Sequence, residues 1–121
     1  MTWEEAEINL RENIILHNHL DKKNKYKVVV SVPPNKCNRL NEDGFRIQIG
    51  EKSIIPVPFS MLRELFEESK RNNGKYDNKV FLNLFPEKLV SKPCYVHSVG
   101  KIFVVANVAY QENNKREYII L

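Results

Sequence analysis

The chain has 121 residues, 42% of them hydrophobic, with 19 lysines and arginines against 15 acids for a net charge of +4. That length and apolar content suit one domain with a single core that needs neither disulfides nor metals, and they leave no room for a second domain. The positive balance favours a polyanionic partner, and two cysteines far apart in sequence, Cys37 and Cys94, argue against a secreted disulfide scaffold and predict free thiols in a reducing compartment.

The first residues, Met1, Thr2, Trp3, Glu4 and Glu5, form neither the basic region of a secretory signal nor an apolar span, which predicts a cytoplasmic protein with no membrane partner. Thr2 and Glu5 have the spacing of a capping box, so a helix should start at Trp3. Trp3, Ala6, Leu10 and Ile14 then recur at helical spacing, with Ile8 and Ile15 widening the stripe, to about residue 17. After a basic stretch, residues 26–32 are rich in β-branched side chains and stop at Pro33 and Pro34, which have no amide to donate to a sheet. A polar loop over 35–43 closes at Asp43 and Gly44. Phe45, Ile47 and Ile49 alternate with Arg46 and Gln48 as in a half-buried strand, and Gly50, Glu51 and Lys52 turn it into a second strand over 53–57.

Pro58 suits the first turn of a helix whose buried face is Phe59, Leu62, Leu65 and Phe66, with Met61 at its edge and Gly74 as its stop. Asn72, Asn73 and Gly74 link it to a shorter helix capped by Asp77, carrying Val80, Phe81, Leu84 and Phe85 and ending at Pro86. Across residues 93–106 the positions Cys94, His97, Ser98 and Lys101 fall on one side of a helix, and Tyr95, Val99, Ile102, Phe103 and Ala106 on the other. Gly100 inside that helix should mark the close approach of another backbone; the competing reading makes Gly100 and Lys101 a hairpin turn. Two short strands over 108–111 and 117–121 flank the polar turn Glu112, Asn113, Asn114, Lys115 and Arg116. The order is helix, three strands, three helices, two strands. The expected class is therefore α+β: an N-terminal helix and small antiparallel sheet joined to a winged helix-turn-helix-like unit. The final apolar strand, with no polar tail, predicts the leading domain of a longer protein.

A helix-turn-helix reads duplex DNA with its last helix, while a wing adds contacts beside it. On that plan His97, Ser98 and Lys101 form the reading face, Lys92 sits at the helix entrance, and Asn114, Lys115 and Arg116 lie on the wing. Lys22, Lys23, Lys25 and Lys27, and Lys70, Arg71 and Lys75, are further basic groups, which count as a footprint only if they share a surface with the wing. Catalytic and cofactor signals are poor. His17 and His19 would point about 200° apart on a helix, which does not make a metal site. Glu51 beside Lys52 lacks the acid-x-Lys spacing of a restriction-type nuclease. Cys94 has His97 one turn away but nothing to orient it, and no glycine-rich phosphate loop is present.

The opening Thr2-Trp3-Glu4-Glu5-Ala6 and Leu10-Arg11-Glu12-Asn13, followed by a small hairpin and then helices, resembles N-terminal modules of bacterial restriction and phage-defence proteins. The resemblance implies a non-catalytic, cofactor-free DNA-recognition domain working with a nuclease or motor domain, and it carries over no catalytic residue. The other expectations are a protein-interaction or oligomerisation module using the first helix and an edge strand, and then a small nuclease subunit.

Overall fold

The computed structural model describes residues 1–16, 26–38, 42–51, 53–91, 94–111 and 117–121. It is a mixed α+β fold with two small antiparallel sheets. Helix α1 (Trp3–Leu16) opens with the expected capping box: Glu5 N–H donates to Thr2 Oγ1 at 3.2 Å, and Thr2 N–H returns to Glu5 Oε1 at 3.3 Å. The Thr2 N–H and, second, the Thr2 hydroxyl, which also donates to Glu5 Oε1 at 3.1 Å, hold the Glu5 carboxyl below its ordinary pKa. Trp3, Ala6, Leu10 and Ile14 are all buried, whereas Ile8 is 56% exposed.

Strands β1 (Tyr26–Val32), β2 (Gly44–Ile49) and β3 (Ser53–Pro58) form a meander in the order β1-β2-β3, with a bulge between Val28 and Val30. Val28, Ile47 and Ile55 lie opposite one another across the three strands, and Phe45 faces Val57; all five are buried. Gly44 is required by a close approach, since a Cβ there would overlap the backbone of Val57 and Pro58. Among the described residues between β1 and β2 is one 3-10 turn (Pro34–Lys36).

Helix α2 (Phe59–Arg71) buries Phe59, Met61, Leu62, Leu65 and Phe66, as its amphipathic spacing demands. It ends in two left-handed residues, Asn73 at φ 57° and Gly74 at φ 78°. The chain then makes β4 (Lys75–Tyr76), a two-residue strand with no signal in the sequence, where a plain turn was expected. Asp77 caps α3 (Asn78–Leu84) by accepting from Val80 N–H at 3.1 Å. Pro86 ends that helix as expected, but it also starts an unanticipated fourth one, α4 (Pro86–Ser91), because a proline at the first helical position loses no hydrogen bond.

Helix α5 (Tyr95–Val105) settles the competing readings of that segment in favour of the helix. Strands β5 (Ala109–Gln111) and β6 (Tyr118–Ile120) complete a second sheet in the order β4-β6-β5. One continuous core joins the two halves, running from Trp3, packed on Phe59 and Phe66, through to Tyr76, Phe103 and Tyr118. Among the described residues no helix is long and apolar enough to cross a membrane.

Candidate nucleic-acid interface

Three residues of the expected reading face fall within α5, and the structure separates them. Ser98 is fully buried, its hydroxyl donating to Cys94 O one turn back at 2.9 Å, which removes it from any solvent-facing surface. A serine that bonds its own i−4 carbonyl has spent its donor and buries like a small apolar residue, so its polarity misleads a helical wheel. His97 is half-buried: its Nδ1 and the Tyr118 hydroxyl share a 3.3 Å hydrogen bond whose direction follows the imidazole tautomer. Lys101 is half-buried. Lys92, Asn114, Lys115 and Arg116 lie outside the described residues, as do His17, His19, Lys22, Lys23 and Lys25.

The burial of α5 has two causes. On one side α1 packs along it, and two α1 amides cap its end, Asn13 Nδ2 donating to Ala106 O at 3.2 Å and Asn9 Nδ2 to Asn107 O at 3.4 Å. On another side the Tyr118 ring of β6 fills the notch left by Gly100, where any Cβ would overlap the ring. The glycine thus marks the close approach of a side chain rather than of the backbone expected. Tyr76 completes the contact by donating its hydroxyl to Val96 O at 2.8 Å, and burial pushes its pKa well up, with Tyr118 and Asp77 adding to the shift. Tyr95, Val96, Val99, Gly100, Ile102 and Phe103 are buried too. The near-absence of charge around α5 was the available signal, since a helix apolar on most sides belongs inside.

What faces outward here is the sheet. Lys75 is exposed on β4 and lies opposite Ile119 of β6, which in turn lies opposite Tyr110 of β5, 47% exposed. The outer row of this sheet is thus Lys75, Ile119 and Tyr110. The β4–β6 pairing brings Lys75 onto the same sheet as the hairpin that carries the 112–116 loop, a proximity that sequence distance hid.

A concave feature lies where α1 meets the end of β1 and the starts of β2 and α2. Arg11 spans from α1 to the start of β2, donating from Nη1 and Nη2 to the two Asp43 oxygens at 3.0 and 2.7 Å and from Nε to Glu7 at 3.0 Å. Its guanidinium lies 3.9 Å from the centre of the Phe59 ring. The bonds to Asp43 raise its pKa, against desolvation and helped by Glu7. Arg11 and Phe59, with Val32, Pro33, Pro34 and Phe45, line a shallow apolar cleft of about 180 Å³. Because two carboxylates already engage the guanidinium, the cleft offers little to an anion. Comparison with known proteins finds no matching family model, curated protein or solved structure.

Proposed function

We propose that the chain is a non-catalytic duplex-DNA-binding domain of the winged helix-turn-helix type, in which the wing and the C-terminal sheet, rather than α5 laid in a groove, make the contact. The observation that carries this is the strand order β4-β6-β5. A short strand between α2 and α3 pairs onto the β5-β6 hairpin that follows α5, an order that supports reading this half as a winged unit with α4 as an added turn. The net charge of +4 and the cations Lys115 and Arg116 in the hairpin loop support a phosphate partner. Extended by the resemblance at the N-terminus, the reading is of a cytoplasmic recognition domain serving a nuclease or motor partner in restriction or phage defence.

Titration of random-sequence duplex across salt concentrations tests it. Binding measurable at low salt should weaken steeply toward physiological salt, with about 0.9 log units of affinity lost per log unit of salt for each phosphate contact. Lys115→Ala should lower that slope by about one unit. Absence of binding at low salt with micromolar protein sinks the reading. A protein-interaction module then leads, favoured by the outer face of α1, where the exposed Ile8 lies between Glu4 and Glu12 at helical spacing.

A further inference from the structure

The register of the second sheet says which parts of the chain share an end of it. Tyr76 lies opposite Tyr118 and Lys75 opposite Ile119, while Gln111 also faces Tyr118. Gln111 and Glu117, the described residues on either side of 112–116, stand at the end of the sheet marked by the row Tyr76, Tyr118 and Gln111. Strand β4 runs antiparallel to β6 and exits at that same end, so the first turn of α3, with exposed Asn78 and Lys79, emerges there too.

We propose that Lys79 and Lys75 make a second line of contacts to DNA phosphates at this end of the sheet; this rests on the DNA-binding reading above. The charges in this region separate by engagement. Lys70 donates to Met1 O and sits over the Phe66 ring, and Arg71 is paired with Glu68, so both are occupied within the fold. Asp77, two residues from each in sequence, is half-buried and accepts from Val80 N–H and from Asn72 Nδ2. Lys75 and Lys79 are exposed and enter no ion pair among the described residues, leaving two cations on the side of the sheet away from the hairpin turn's own strand β5. Glu117, half-buried at the foot of the loop, opposes the same partner and sets the sign of a control.

The experiment compares salt titrations of the whole chain on one duplex. Lys75→Ala with Lys79→Ala should lower the salt slope by about two units, the arginine pair at these positions should retain it, and Glu117→Gln should tighten binding. Lys36→Ala with Arg63→Ala removes the same net charge from exposed positions elsewhere and should leave the slope unchanged. An unchanged slope in the Lys75/Lys79 variant while the unaltered chain binds overturns this line of contacts and leaves the DNA reading standing. Equal loss in both double variants overturns it as well, since net charge alone would then account for the effect. Failure of the unaltered chain to bind overturns the DNA reading itself.

Discussion

The two three-stranded sheets are built on opposite principles. The β1-β2-β3 meander has strands of six or seven residues whose alternating side chains meet in register across β2 and β3 and, up to the bulge after Val28, across β1 as well, so its pairing is specified largely by its own inward face. The β4-β6-β5 sheet has strands of two or three residues, too short for alternation to mean anything. It is held by what lies beneath it: Tyr76 and Tyr118 pack 5.8 Å apart over α5, and the Tyr118 ring occupies the space that Gly100 leaves open. The first sheet carries its specification within its strands, and the second receives it from a helix.

The largest test of that contrast acts on the shared core. Phe81→Ala, at a fully buried position stacked near Phe85 and Tyr95, should cost about 3–5 kcal/mol in urea unfolding. Because the core is continuous, fluorescence of the single tryptophan, Trp3, and far-UV circular dichroism should give coincident transitions. Separated transitions would divide the molecule into two cooperative units and break the comparison as drawn.

Gly100→Ala comes next. The added methyl meets the Tyr118 ring and should destabilise by about 1–3 kcal/mol, with most of the increment vanishing in a Tyr118→Ala background. Additivity of the two changes would mean the helix does not position the second sheet.

Alkaline pH probes the joint between the halves, where the Tyr95 hydroxyl on α5 donates to Pro56 O on β3 at 2.9 Å. Desolvation first, and Cys94 second, pushes its pKa up from 10.0 to about 12. The raised value means the folded state favours the neutral phenol. Its contribution to stability is intact below pH 10 and is lost as pH rises toward 12, while the unfolded chain ionises first. Tyr76, shifted in the same direction, adds to the loss. Urea midpoints measured from pH 9 upward should fall, and less so in Tyr95→Phe.

The caps give the smallest effects. Asp77→Ala should cost about 1 kcal/mol by freeing the Val80 amide, and Thr2→Ala should let the Glu5 carboxyl titrate higher by NMR.

Features that depend on local chemistry were legible from the residues. The Thr2–Glu5 box, the Asp77 cap, the Phe45-Ile47-Ile49 alternation and the α2 stripe each depend on neighbours a few positions away, and each appears as expected. Features set by distant partners were not. Strand β4 exists because β6 arrives beside it, and Ser98 is buried because α1 and Tyr118 close around a helix whose own wheel left it outside. Of the expected reading face, only His97 and Lys101 keep part of their surface, and the cation that sheet pairing brings to the hairpin, Lys75, had been read as belonging to a separate basic group.

The central position of β6 also bears on how the chain folds. Its partner β4 lies far back in sequence, before three helices, so this pairing closes a longer loop than any other strand pairing among the described residues, and contacts of that span form slowly. Until Tyr118 docks, Gly100 faces an open notch and the buried rings of Tyr76 and Phe103 have lost a wall. A chain halted after Gln111 would hold every described helix and the first meander, yet would expose an aromatic gap over α5, the kind of surface that invites chaperones or aggregation while a nascent chain awaits β6.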